Sequence, residues 1–336
     1  FRCWHTNFVN SKKRYQTISD AIKNAKLSFL CEFQYVEQGV IVEGNKYPTT
    51  RMKWIDGIGI KDYICKNRNS KSLLNSLAAN FLKMIQTLHA RSLAHGDLQH
   101  GNILIDKKHQ LRLVDYDSFY CPKLKGEADV VTGLPDYQHP ARANNKSVSE
   151  KLDYFSELII YLSILAIAEN PSLIDKYKVE SADRLLFAKE DFSNITNSNV
   201  YRDIKVLGKE FEELLDVLEI YLNYSSIDEL LPFDDFLLDR KISFTTSTTK
   251  VVRDTQTVVI EWNVPFEAKV GLKIEGKNNV EKCKNQGNIS ITLSEDCTYE
   301  LLVKSSDGRK FKKEITIQVF DECEINFNAD KYYVFP

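Results

Sequence analysis

The hydrophobic and polar positions of this chain change their period along its length. Residues 15–25 have helical spacing, with Tyr15, Ile18 and Ile22 apolar and Lys and Asn between them. Apolar runs at 29–35, 39–42 and 47–54 then predict strands, and Phe1-Arg2-Cys3-Trp4 reads as the end of another. A longer stripe occupies 73–90, where Leu77, Phe81, Met84, Ile85 and Leu88 share one helical face. Short apolar runs at 103–105 and 111–114 flank the polar turn Asp106-Lys107-Lys108-His109 and predict a hairpin. After an irregular stretch, 116–142, an apolar helix opens at Asp153 and runs through Ile167. Further helices are expected over 170–235, most clearly at 211–221.

Beyond Leu238 the period becomes two. Residues 257–263, 269–274, 288–293, 299–305 and 314–320 alternate apolar and polar, with Asn-Gln-Gly and Ser-Asp-Gly turns between. A Ser/Thr-rich stretch, 243–249, precedes them. Short strands at this spacing predict an antiparallel β-sandwich of immunoglobulin or fibronectin type. Ile242-Ser-Phe-Thr and Ile325-Asn-Phe-Asn stand 83 positions apart. Residues 325–336 therefore either begin a second repeat or form the last edge strand of the same domain.

Composition narrows the function classes. The 336 residues are 43% hydrophobic and 27% charged, with a net charge of −2. The length suits two or three domains. The near-neutral balance argues against a nucleic-acid protein. The longest apolar run, near 158–168, is too short to span a bilayer. No secretory signal is visible, and because the chain starts at Phe1, upstream residues are expected. Seven cysteines (3, 31, 65, 121, 283, 297 and 323) form no C-x-x-C, which reads as reduced thiols in a cytoplasm. A disulfide among Cys283, Cys297 and Cys323 is the alternative.

The candidate chemistry is concentrated in His95-Gly96-Asp97-Leu98-Gln99-His100-Gly101-Asn102 and Asp115-Tyr116-Asp117. Phosphoryl transfer from Mg-ATP needs a carboxylate for the acceptor hydroxyl, and an amide with a second carboxylate for the metal. Asp97 lies five positions before Asn102, and Asp115 thirteen after it. The hairpin would bring Asn102 and Asp115 to one open end, as two magnesium ligands require.

These residues resemble the protein-kinase-like superfamily, which joins eukaryotic-type protein kinases with aminoglycoside and choline phosphotransferases. The resemblance runs from residue 1 to about 235. More narrowly, HGDLQHGNIL, LVDYD and YQHP resemble bacterial eukaryotic-like serine/threonine kinases. It implies a two-lobed α+β kinase fold, incomplete at its amino-terminal lobe, followed by the all-β sandwich. The implied organisation is a partial lobe and hinge at 1–57, a carboxy-terminal lobe at 58–238, a linker at 239–250 and the sandwich at 251–336. Asp97 is implied as the catalytic aspartate, Asn102 as a metal ligand and Asp115 as the principal one, with ATP and Mg2+ as cofactors. Met52 would be the gatekeeper, and the backbone of Lys53, Trp54 and Ile55 would meet adenine. His95 and Asp153 would support the loop, Asp153 by bonding its backbone. The implied partner is a protein, as substrate or binding partner.

Several positions depart from the family pattern. Arg2 stands where the phosphate-positioning lysine belongs, with Asp20 as its candidate partner in place of a helical glutamate. The glycine-rich phosphate loop is not in this sequence and is expected upstream. Gly96 replaces the arginine that reads an activation-loop phosphate, so such phosphorylation should not be required. Gln99 replaces a lysine, Asp117 the glycine of Asp-Phe-Gly, and Ala141 the anchoring glutamate. Three readings follow: an atypical protein kinase, a pseudokinase scaffold, and a small-molecule kinase. The last is favoured by His-Gly-Asp, but Asp183, Glu190 and Asp191 sit among Arg184 and Lys189 and form no clear acidic patch.

Overall fold

The computed structural model describes residues 2–3, 11–129 and 133–322, so the expectations for 325–336 lie outside the described residues. The chain divides into two compact units, Phe1–Phe233 and Asp234–Pro336.

The first unit begins with β1 (Arg2–Cys3), α1 (Ser11–Ala25), β2 (Phe33–Val42) and β3 (Asn45–Met52). The three strands form an antiparallel sheet in the order β1-β3-β2, with Arg2 opposite Thr50. The separate strands expected at 29–35 and 39–42 are one strand, because β3 runs continuously beside both halves. The register slips between Val36 and Val40, where Gly39 stands because a side chain there would collide with Thr49. Glu43 and Gly44 close the hairpin, both at positive φ (49° and 81°), as a two-residue turn of this hand requires. The apolar stripe of α1 packs on β2, and the Ser19 hydroxyl donates to Phe33 O at 3.0 Å.

The chain then runs through β4 (Gly57–Gly59), α2 (Ile60–Lys66), α3 (Lys71–His89), β5 (Ile103–Asp106) and β6 (Leu111–Leu113). It continues with α4 (Tyr154–Glu169), α5 (Leu173–Lys176), α6 (Asn199–Lys205) and α7 (Lys209–Asn223). α4 is buried on nearly every side, which is why its sequence is apolar all round rather than striped. Its acid Glu157 is buried against His89 of α3, with both carboxylate oxygens 2.9 Å from His89 Nε2. A buried carboxylate needs such a partner.

Helix α8 (Phe233–Lys241) is followed by β7 (Ser243–Thr246), β8 (Lys250–Val252), β9 (Thr257–Asn263) and β10 (Ala268–Ile274). The last strands are β11 (Val280–Cys283), β12 (Gln286–Thr292), β13 (Cys297–Ser305) and β14 (Lys310–Phe320). They form two sheets, β12-β9-β7 and β11-β10-β13-β14-β8, antiparallel except for β8 beside β14. Val258, Ile260 and Trp262 of the first sheet share a core with Val270, Leu272, Leu301, Val303 and Ile317 of the second. The Trp262 indole N–H donates to Lys284 O at 2.9 Å, so the ring is buried with its polar atom satisfied. Asp234 and Asp235 of α8 accept from Arg309 at 2.6 and 3.1 Å, and Asp239 from Lys313 at 2.6 Å. Cys283 and Cys297 are free thiols, as are Cys31, Cys65 and Cys121.

Candidate active site

The hairpin of β5 and β6 sets the geometry. Ile103 pairs with Leu113 and Ile105 with Leu111. The turn is closed by the Asp106 carboxylate, which accepts from Lys108 N at 2.8 Å, Gln110 N at 3.0 Å and Arg112 Nε at 2.9 Å. At the open end, Val114 N donates to Asn102 O at 3.0 Å, one step beyond the ladder. Asn102 and Asp115 are thereby neighbours, thirteen residues apart in sequence.

Asn102 also ties the loop to Asp97. Its Nδ2 donates to Asp97 O at 2.8 Å and to Asp97 Oδ2 at 3.1 Å. The other carboxylate oxygen, Oδ1, is buried and has no hydrogen-bond partner among the described residues. Gly133 lies directly over it, at φ 67°, and a side chain at that position would collide with Oδ1. Such an orphaned oxygen costs roughly 1–3 kcal/mol unless something arrives to bond it.

Asp153 braces the loop from below. It is buried at the start of α4, and its carboxylate accepts from His95 N and from Gly96 N (2.9 Å). Burial pushes its pKa up, against the opposing pull of His95, Arg142 and the two amides. His95 Nε2–H donates to Val114 O at 2.8 Å, joining loop and hairpin. Gly96 has φ 82°, and a side chain there would strike the Ser118 carbonyl. Gly96→Ala should therefore lower stability by about 2 kcal/mol or more, from left-handed strain plus the clash. Chemical denaturation of the variant checks this.

Asp115 is itself a non-glycine residue at φ 66°. That conformation is uncommon and concentrates at functional sites. It is held by the next residue. Tyr116 is fully buried, accepts from Cys31 N at 2.7 Å and donates to Leu113 O. Burial pushes its phenol pKa up, so it remains a donor. Rings pack outward from the loop in series, tilted or edge-to-face: His95 to Tyr116 at 5.8 Å, Tyr116 to Phe33 at 5.6 Å, and Phe33 to Tyr15 at 6.4 Å. α1 and β2 are thus packed against the segment that carries Asp115.

The other candidates are placed as follows. Met52 ends β3 and is partly buried; Lys53, Trp54 and Ile55 follow as the connection to β4. Lys53 N donates to Glu32 O at 2.9 Å, and Trp54 is 89% exposed. The Arg2 backbone lies in β1. Asp20 is exposed on α1, away from the buried Ile18 face, and accepts from Gln16 Nε2 at 3.1 Å.

Three features escaped the sequence reading. Arg14 is nearly buried and donates to Asp117 O at 3.2 Å, with Glu127 Oε2 at 3.5 Å. Its position four residues before Ile18, on the apolar stripe, was the available signal. Arg142 is fully buried beside Ala141. Its Nε and Nη2 reach the two Asp129 oxygens at 3.0 and 3.2 Å, and its Nη1 donates to Gln138 Oε1 at 2.7 Å and Leu152 O at 3.2 Å. The segment end that lacks a glutamate is held by this arginine, and by His139, whose Nε2–H donates to Tyr221 O at 2.7 Å.

His100 is the third. It is buried, with Nδ1 3.0 Å from the Tyr137 hydroxyl and Nε2 3.2 Å from Asp183. Burial lowers its pKa, Lys61 adds to this, and Asp183 opposes it. Burial lowers that of His139 as well. The fold favours both neutral rings while the unfolded chain takes up protons near the ordinary value of 6.5. Their contribution is complete above that pH and is lost as pH falls below it. The thermal midpoint should fall on acidification from neutral to about pH 5, and less so in His100→Asn.

The protein kinase domain pattern matches residues 39–224, more than half of the chain. The maternal embryonic leucine zipper kinase of Xenopus laevis is 25% identical over 158 residues, 45% of this chain and 23% of that protein. The serine/threonine-protein kinase max-2 of Caenorhabditis elegans is 24% identical over 116 residues, 34% of this chain and 18% of its own length. The cAMP-dependent protein kinase catalytic subunit PRKX of Mus musculus is 24% identical over 170 residues, 49% of this chain and 46% of that one. The chain thus spans less than half the length of these curated relatives. The matched stretch contains the loop, the hairpin and the buried α4 that hold Asp97, Asn102 and Asp115 together, and with them the chain belongs to the protein kinase domain family.

Proposed function

We propose that this chain transfers the γ-phosphoryl group of ATP to a protein hydroxyl, as an atypical serine/threonine kinase of bacterial type. The observation that carries the reading is the orphaned Asp97 Oδ1, with Asn102 bonded to its neighbour oxygen and Asp115 one ladder step away. Asn102 uses its amide nitrogen on Asp97; its oxygen and the Asp115 carboxylate are the groups that would hold a cation. Two protein oxygens suit Mg2+, which keeps waters and takes further ligands from phosphates. The ion would be carried by the nucleotide, whose phosphates supply further ligands. When bound, Mg2+ neutralises charge on the transferring phosphates.

Asp97 Oδ1 accepts the acceptor hydroxyl and takes its proton as oxygen bonds to the γ-phosphorus and ADP departs. Asn102 holds the other carboxylate oxygen, which fixes the direction of Oδ1. The backbone of Lys53 to Ile55 would meet adenine. A groove of about 500 Å3, lined by Gly133, Pro135, Gln138, Lys189, Glu190 and Phe192, starts at the glycine covering Asp97. An extended peptide fits it better than a small acceptor.

One observation favours a nucleotide-free scaffold as the second reading. The only acid on α1, Asp20, is on its exposed face, and Arg14 occupies the inward face. No carboxylate of α1 is placed to orient a phosphate-binding cation. Thermal shift with ATP and Mg2+, together with transfer of labelled γ-phosphate to a generic protein acceptor, separates the readings. A shift with transfer supports catalysis; no response to nucleotide in the full-length protein supports the scaffold.

The sandwich is read as immunoglobulin- or fibronectin-like, on the support of its sheet orders and of β8 running parallel to β14. The boundaries proposed are a partial amino-terminal lobe to residue 57 and a carboxy-terminal lobe after it; the stretch 239–250, expected as a linker before a sandwich at 251, carries β7 and the start of β8, which pair into the sandwich sheets. The thiols free among the described residues, Cys31, Cys65, Cys121, Cys283 and Cys297, support the reading of a reducing cytoplasm.

A further inference from the structure

The outer face of the β11-β10-β13-β14-β8 sheet carries a charge pattern that its own stability does not explain. Val270, Leu272, Leu301 and Val303 point into the core, so alternate residues of β10 and β13 point outward. Register places Lys269 opposite Lys304, and Lys304 opposite Lys310, so three lysines stand side by side across three strands. The adjacent row reads Lys282, Gly271, Leu302, Lys312. Like charges directly opposite one another on a sheet are destabilising. Lys273 and Lys312 are answered by Glu300, at 3.3 and 2.7 Å, and Lys312 also by Glu314. Among the described residues no carboxylate pairs with Lys269, Lys282, Lys304 or Lys310.

Between these lysines the sheet is hollow. Gly271 contributes no side chain, and beside it Leu302 is only partly buried. The resulting depression has a volume of about 430 Å3, with Gly271, Val280 and Leu302 in its lining and Lys269, Lys282, Lys304, Lys310 and Lys312 around it.

We propose that this face binds an extended acidic polypeptide segment with an apolar side chain set between its carboxylates. The lysine ring supplies charge complementarity, and the apolar floor selects the occupant. A polymer of phosphates or sulfates alone would leave Leu302 and Gly271 unmatched. A single-stranded nucleic acid would look for exposed aromatic platforms, and the row offers lysines and one leucine. Lysines act as point charges without the bidentate fork of arginine, so recognition follows charge and spacing rather than one anionic group. The inference stands on the sandwich alone and does not depend on phosphoryl transfer.

The test is fluorescence anisotropy of the full chain with a labelled peptide of repeated Glu-Glu-Leu, titrated at low and at physiological salt. The wild-type chain should bind, more weakly as salt rises. Lys269→Gln/Lys304→Gln/Lys310→Gln should weaken binding about tenfold or more. Leu302→Ser should weaken it severalfold at all salt concentrations, and Lys277→Gln/Lys284→Gln, elsewhere on the same unit, should not change it. The triple variant should keep or raise its thermal midpoint, because it removes repulsion; lysines with a structural role would lower it. Unchanged peptide affinity in the triple variant would overturn the proposal. So would tighter binding of polyphosphate, heparin, oligonucleotide or anionic vesicles than of the peptide.

Discussion

Asp97→Asn should reduce phosphoryl transfer by about a thousandfold or more, within the range set by loss of a positioned proton acceptor plus substrate orientation. Oδ1 of Asp97 is buried, has no hydrogen-bond partner among the described residues and is covered by Gly133, while Oδ2 is held by Asn102. An amide in its place keeps the shape but cannot take a proton. Asp115→Ala should cost as much by a different route, the loss of a charged oxygen at the phosphates. The two variants separate in nucleotide binding. Asp97→Asn should keep the thermal shift produced by ATP and Mg2+, whereas Asp115→Ala should lose the part that depends on the cation. Asp97→Asn should not unfold the protein, since among the described residues the Asp97 carboxylate is held by one hydrogen bond, from Asn102 at 3.1 Å. Equal labelling of acceptor by wild type and both variants would defeat the catalytic assignment.

The largest effect on stability is expected at Arg142. Arg142→Ala should destabilise the first unit by roughly 3–5 kcal/mol, because it leaves the buried Asp129 carboxylate without its cation and with the Asn145 amide as its remaining side-chain donor. The side chains of both residues are 2% exposed. For a unit of this size the thermal midpoint should fall by roughly 10 °C. Arg142→Met/Asp129→Leu should recover much of the loss, since a well-packed apolar pair replaces the ion pair without stranding a charge. The same comparison tests a functional consequence. The pair ties the middle of the 116–142 segment to its end, next to the groove that starts at Gly133. If the pair serves only the fold, the double variant regains full activity with its stability. If it orders the acceptor groove, the acceptor KM of the double variant stays raised while kcat recovers. A midpoint that barely moves in Arg142→Ala would refute the buried-pair assignment itself.

What could be read without coordinates depended on distance along the chain. The hairpin over 103–114 was legible because turn and strands are consecutive, and its turn residue Asp106 bonds only its own neighbours. The alternating segments of the sandwich were legible for the same reason: one face of each strand meets the core, and period two records it. Helix 73–90 showed its stripe because it lies half in solvent. By contrast, the apolar runs at 29–35 and 39–42 looked like two strands because the slip between Val36 and Val40 interrupts the alternation, and only the partner strand β3 shows they are one. Asp20 is the only acid before Leu27, but its spacing from Ile18 carries it to the exposed side of α1.

The sequence by itself determined the local elements, the order and spacing of Asp97, Asn102 and Asp115, and the place where the helical period gives way to alternation. These follow from backbone hydrogen bonds and side-chain periods that act over a few residues. Only the tertiary structure decided the rest: Arg142 with Asp129, Arg14 with Asp117, Asp153 under the His95 and Gly96 amides, and the lysine row across β10, β13 and β14. Each joins segments whose mutual register and burial are fixed by packing of distant elements. A buried charge or a like-charge neighbour leaves no periodic trace in the chain, because its partner is chosen by the fold and not by sequence separation.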